Sequence, residues 1–238
     1  MIHMVIVVGI VIFILTVTIN YLSMVAVNKD KNVEKDKKLI RIREILKQGQ
    51  NRIKTDNRWF LRKGFLLSLL FATISTVGAC FVMLFINNWI AIIRYLIIIV
   101  LLSPVAIIDC YTRKIYNNIT LCAIIIRVLI FIPEFFVNGD SFKNIIIVSF
   151  LGLLVGFILL AILSFISRGG LGMGDVKIIS VLGFYTGLAT MFYTLVLGMF
   201  CCFFYCIYLI IVKKKDKEYE IPFGPFILIG LVLSMIIG

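Results

Sequence analysis

The sequence predicts an all-α fold, a polytopic membrane bundle of about eight transmembrane helices, and three observations predict it. Hydrophobic residues fill 62% of the 238 positions and the mean hydropathy is +1.11, where soluble domains run at about 45–50% apolar. The apolar residues fall in runs long enough to cross a ~30 Å hydrocarbon core, which takes about 20 helical residues. The formal net charge of +12 lies between those runs, mainly from Lys29 to Lys63, with a smaller group at Lys213, Lys214, Lys215 and Lys217. Clustered Lys and Arg beside spans point to topology and to contact with anionic inner-leaflet lipids. No nucleic-acid motif accompanies them, so membrane lipid is the expected partner and nucleic acid is not.

Three blocks follow: the first transmembrane helix over 1–27, a basic cytoplasmic segment over 28–63, and a membrane domain of seven further helices over 64–238. Met4 to Val27 is a nearly continuous apolar run whose positive charges follow it, and no small-residue cleavage site closes it. That pattern fits a retained span better than a secretory signal. In the basic segment, Leu39, Ile42, Ile45 and Leu46 recur at roughly helical spacing. They suggest a short amphipathic helix over Val33–Lys47 lying on the inner leaflet and ending near Gly49-Gln50-Asn51.

Gly64–Ile86 is the second span, and Asn87-Asn88 makes a tight turn into the third, Trp89–Ile108, which stops at Asp109. Trp89 and Tyr95 anchor its outer end. A polar loop carrying Arg113 and Lys114 leads to a fourth span near Ile119, which Pro133 should interrupt because it lacks the helical N–H. Asn138-Gly139-Asp140 marks a turn, and Ile145–Ile166 is the fifth span, closed by Ser167-Arg168-Gly169-Gly170. The long apolar stretch from Val176 to Val212 needs a break, placed at Thr186–Ala189, to give the sixth and seventh spans. A charged loop from Lys213 to Glu220 precedes the eighth, opened by Ile221-Pro222-Phe223-Gly224-Pro225. Threaded from an outer N-terminus, this multi-pass plasma-membrane protein keeps nearly all its Lys and Arg inside; Arg94, Arg127 and Lys143 are the exceptions. That is the positive-inside bias.

The six cysteines, Cys80, Cys110, Cys122, Cys201, Cys202 and Cys206, lie in or beside apolar stretches without a C-x-x-C pair. They read as small hydrophobes between helices, with no metal site or disulfide framework. His3 is the only histidine and sits at the terminus. Chemistry therefore falls to acids. A charge inside a membrane span costs about 2.5–3.5 kcal/mol and is a candidate functional group. Asp109 ends an inward-going span and Asp175, in Gly172-Met173-Gly174-Asp175-Val176-Lys177, opens an outward-going one, so both carboxylates lie at the cytoplasmic boundary. Two carboxylates in a poorly solvated site share a proton, as in aspartic proteases, where one activates water and the other polarises the carbonyl. The bland reading is that Asp109 caps a loop and Asp175 is a helix N-cap. Gly172 and Gly174 allow close backbone approach or positive φ. Lys177 could steer an acidic group, though an anchor to lipid phosphate is the simpler use. Arg127 and Glu134, seven apart, share a helix face and read as a structural pair or a substrate contact.

The run Gly172–Lys177 resembles the Gly-x-Gly-Asp motif of the type IV prepilin peptidases, with their Val-Lys continuation. Asp109 with Ile115-Tyr116-Asn117 resembles that family's first aspartate and its Ile-Pro-Asn element, and Ile221–Phe226 is similar to the segment opening its last span. The resemblance covers Pro104 to the C-terminus. It implies a membrane aspartyl endopeptidase with Asp109 and Asp175 catalytic and Gly172, Gly174, Lys177 and Asn117 binding substrate or shaping the site. Its substrates would be pilin-like precursors, cut between a basic leader and a hydrophobic helix, with no cofactor for proteolysis. Residues 64–238 would then be the peptidase domain. Tyr116 replaces the family's proline, the basic segment lacks the paired C-x-x-C motifs, and Thr16–Asn20 only loosely matches the family's Gly-Ser-x-x-Asn stretch. S-adenosylmethionine would be needed only for an accompanying N-methyltransferase activity, against which these departures argue. The alternative is a proton-coupled transporter using the same carboxylates, which would prefer mid-membrane acids, broken helices and internal repeats.

Overall fold

Eight α-helices and one 3₁₀ turn make up most of the residues that the computed structural model describes (2–45, 57–166, 172–212 and 221–237), and no strand occurs among them. In chain order they are α1 (Ile2–Ile45), α2 (Asn57–Phe85), α3 (Trp89–Thr112), α4 (Asn117–Asn138), α5 (Phe142–Ile166), α6 (Met173–Thr186), α7 (Leu188–Ile211) and α8 (Gly224–Ile237). Six carry a stretch long and apolar enough to cross a membrane: His3–Val27 of α1, Gly64–Phe85 of α2, and α3, α4, α5 and α7. The protein is a multi-pass helical membrane bundle.

The helix boundaries depart from the sequence-based expectations in instructive places. α1 is one continuous helix of 44 residues, so the basic stretch to Ile45 continues the first span and forms no separate surface helix; its expected end at Gly49–Asn51 lies outside the described residues. α3 does not stop at Asp109 but runs one turn further, ending on Arg113 in the left-handed conformation (φ 52°), whose N–H returns to the Asp109 carbonyl. α4 passes straight through Pro133, as α3 does through Pro104; membrane helices tolerate proline where neighbouring helices cover the freed backbone. The Asn88 turn and the turn at Gly139–Ser141 stand where expected: the Asn88 side chain caps α3 by accepting from Ile90 and Ala91, and Gly139 has φ 45°. The loops expected at 167–170 and 213–220 lie outside the described residues.

The largest difference concerns α6 and α8. Each has 14 residues, about 21 Å of helix, which is two thirds of a hydrocarbon core. α6 ends at Gly187, a buried glycine with φ 82° that turns the chain into α7. The expected division at Thr186–Ala189 is therefore real, but the sixth helix is too short to be a complete span.

α3 is the hub, packed against α1, α2, α4, α6 and α8, and it is buried continuously from Leu102 to Asp109. Two other large interfaces, α5 on α6 and α7 on α8, are seams of small residues. A Cβ on Gly152 of α5 would fall 2.3 Å from the Gly183 carbonyl of α6, and one on Gly230 of α8 would fall 2.4 Å from the Thr194 carbonyl of α7. Lipid is as apolar as leucine, so membrane helices gain little from hydrophobic association and rely on such close backbone packing. These seams fix the two short helices against long neighbours.

Candidate active site

Asp109 and Asp175 come to the same end of the bundle. Asp109 lies on the last turn but one of α3, buried with 5% of its surface exposed. Asp175 lies on the first turn of α6 and is half-buried. Their carboxylates are near enough for the charge on Asp109 to act on Asp175.

Asp109 is held by a group with no side-chain signature. The backbone N–H of Gly224, at the start of α8, donates to Asp109 Oδ2 at 2.7 Å. The first N–H groups of a helix have no partner within it, and their aligned dipoles favour an anion. α8 thus finds its cap on a side chain 115 positions earlier. The close contact suits glycine: a Cβ at 224 would sit 3.1 Å from both Cβ and Oδ2 of Asp109 and 3.3 Å from the Ala106 Cα.

Asp175 is not the N-cap of its helix. Gly172 is, in extended conformation (φ −67°, ψ 138°), and Asp175 stands three residues in. From there its side chain folds back towards Gly172, with Oδ2 3.3 Å from where a Cβ on that glycine would lie. This is the position of the acidic member of a capping box. Neither Gly172 nor Gly174 uses positive φ. Gly174 serves close approach instead, since a Cβ there would meet the Ile115 Cβ at 2.9 Å. That packs the α3–α4 loop onto the first turn of α6 and draws the two aspartate-bearing segments together.

Lys177 and Asn117 meet each other. The lysine Nζ donates to Asn117 Oδ1 at 2.9 Å on the exposed rim, tying the first turns of α6 and α4. The lysine expected to anchor on lipid phosphate therefore has a protein partner. All six sequence-selected positions gather at this end of the bundle. Among the described residues, no group of three His, Cys, Asp or Glu side chains is placed to hold a metal ion.

Residues 96–207, which contain both aspartates, Asn117 and the Gly172–Lys177 run, match the profile of the type IV leader peptidase family. The match takes in a little under half of the chain. The chain is also similar to the prepilin leader peptidase/N-methyltransferase of Bacillus subtilis (strain 168), at 32% identity over 92 residues. That similarity covers 37% of this chain and 36% of the relative, so the chain matches about a third of the curated relative's length. No solved structure matches the chain.

Several features of this region and its surroundings were not legible in the sequence. The Gly224 amide lies beyond the matched residues. An apolar cleft between α3, α4 and α6 begins one turn from each aspartate, at Val105 and Ile178, with Thr120 on its wall. Below Asp109, Asn20 of α1 donates to Ser103 Oγ of α3 at 2.6 Å, both fully buried. Arg127 and Glu134 form the expected ion pair at 3.0 Å, and Arg94 joins it at 3.3 Å. Intramembrane charge at 94 was the available signal for that third member.

Proposed function

We propose that this chain is a membrane aspartic endopeptidase that removes the basic leader from type IV pilin-like precursors, with Asp109 and Asp175 as the reacting pair. The observation that carries the reading is the approach of two carboxylates from separate helices at one end of a segment of leader-peptidase type, one of them gripped by a helix N-terminus.

In the chemistry proposed, Asp109, which accepts the Gly224 amide, is the member suited to carry negative charge. It takes a proton from water as the hydroxyl oxygen adds to the scissile carbonyl carbon. Asp175 carries the shared proton and donates it to the carbonyl oxygen as charge develops there. The tetrahedral adduct then collapses: the proton held by Asp109 passes to the leaving nitrogen, the C–N bond breaks, and the adduct's hydroxyl proton returns to Asp175. Water and two carboxylates suffice.

The bias of Lys and Arg supports a site at the cytoplasmic face and an N-terminus outside. The precursor's basic leader would lie in the cytoplasm and its apolar segment in the bilayer. The methyltransferase named for the Bacillus subtilis relative would require S-adenosylmethionine, a charged nucleoside. The cleft beside the aspartates is lined by Ile98, Leu102, Val105, Ile119, Ile178 and their neighbours, with no carboxylate on its wall. It does not fit that group.

The test is mass spectrometry of a pilin-like precursor incubated with the purified protein. Cleavage between leader and apolar helix, without a gain of a methyl group, is the expected result; an intact precursor would reject the activity. One feature favours the transporter reading, namely the short α6, since transporters place ions at interrupted helices. Proton flux into proteoliposomes that survives in both Asp→Asn variants would remove that reading's link to these carboxylates.

A further inference from the structure

A helix that stops inside a membrane leaves its last carbonyls without water, and each unsatisfied group there costs several kcal/mol. At 14 residues α6 is too short to reach both surfaces, and two carbonyls of its last turn, those of Gly183 and Phe184, find partners. The Gly183 carbonyl accepts from the Gly187 N–H at 2.8 Å. The Phe184 carbonyl accepts from Nε of Arg127 on α4 at 3.0 Å. The Tyr185 hydroxyl donates to the Ala123 carbonyl of α4 at 2.8 Å.

Arg127 is the centre of this cap. It is fully buried, and its remaining nitrogens donate to Glu134 and to Ser149 Oγ of α5, each at 3.0 Å. Its guanidinium lies over the Phe131 ring, 4.1 Å from the centroid. One planar cation thus joins α4, α5 and α6 and complements the negative end of the α6 dipole. No surface of Arg127 is open to a substrate.

α4 therefore holds α6 at both ends. The Lys177–Asn117 bond fixes the first turn, two residues from Asp175, and Arg127 with Tyr185 fixes the last. A helix of this length is stiff, so a shift at Phe184 is carried to Asp175. We propose that Arg127 is a positioning residue that clamps the intramembrane end of α6 to α4 and so sets the depth at which Asp175 meets Asp109. This rests on the reading of the two aspartates as the reacting pair.

The experiment compares the wild type, Arg127→Met, Arg127→Lys and the charge-balanced Arg127→Met/Glu134→Gln double variant, each as the full chain in detergent with a pilin-like precursor. Misplacing a reacting group by about 1 Å costs on the order of 100-fold. Arg127→Met and the double variant should therefore lose kcat by about 100-fold with KM within about threefold. Arg127→Lys, which keeps one donor, should fall between. Hydrogen–deuterium exchange provides a readout independent of activity: α6 amides should exchange about tenfold faster while those of α8 stay as in the wild type. The double variant serves where the single one does not fold.

Unchanged kcat in a folded variant, a loss confined to KM, or exchange rising equally in every helix would each overturn the clamp. If the wild type itself cleaves nothing, the proposed activity fails, and the exchange pattern still decides on Arg127: selective opening of α6 upholds the clamp and uniform opening rejects it.

Discussion

At one end of the bundle, two carboxylates from α3 and α6 approach each other, and Asp109 is held by backbone amides at the start of α8. In the half away from them, Arg94, Arg127 and Glu134 form an ion-pair chain in which Arg127 has a partner in every direction. Both regions place charge where it is costly. One brings like charges together and the other brings opposite charges together. Like charges in a poorly solvated site keep a proton in play and suit acid–base work. Opposite charges paired with one another offset each other and serve to hold helices. Burial alone did not distinguish the two, because Asp109 and Glu134 are both buried. What separates them is the sign and completeness of their surroundings.

The sharpest way to break that contrast is to neutralise each region in turn. Asp109→Asn and Asp175→Asn should each lower precursor cleavage by about 10³-fold or more and leave the thermal unfolding midpoint close to wild type. Mass-spectrometric rate measurements and a melting curve in detergent check the two halves. Glu134→Gln should do the reverse to stability, since it leaves two guanidiniums without a counter-charge. Breaking a buried pair costs about 3–5 kcal/mol, read as a lowered unfolding midpoint. A loss of activity in Glu134→Gln with no loss of stability would erase the distinction drawn here.

Smaller changes sharpen it. Gly224→Ala brings a methyl within 3.1 Å of Asp109 Oδ2, and overpacking of this kind costs about 1–3 kcal/mol. Because the strain falls on the Asp109 cap, turnover should drop by about tenfold or more, visible in initial rates. Gly152→Ala drives a Cβ to 2.3 Å from the Gly183 carbonyl. It should destabilise by a similar amount, seen by thermal unfolding, with turnover lost only as α6 shifts. Lys177→Met removes an exposed hydrogen bond and should change stability by under about 0.5 kcal/mol in the same melting assay.

The long spans and the division between α6 and α7 were legible because hydropathy and glycine report on single segments. That Asp109 and Asp175 share an end followed from counting spans between them. The lengths of α6 and α8 were not legible. An apolar run looks alike whether its last carbonyl reaches the headgroups or is answered by Arg127, and that answer comes from another helix. Pro133 misled for a related reason: the ring removes a local bond, but neighbouring helices decide whether the helix continues. Of the two uses open to Gly174, close approach and positive φ, the first applies, but what approaches is Ile115. The Gly224 donor was hidden more deeply, since a main-chain N–H is the same at nearly every position and only the fold aims it.

That donor has a consequence for how the protein is made. Residues emerge from the ribosome in order, so Asp109 and Asp175 are both in the membrane before Gly224 exists. Until the last helix docks, Asp109 lacks its anchoring amide, and the acid pair is present but incompletely assembled. On the proposed function, a nascent chain would thus stay idle while its own apolar segments are still being inserted, and cleavage would begin only when synthesis has passed the residue that completes the site.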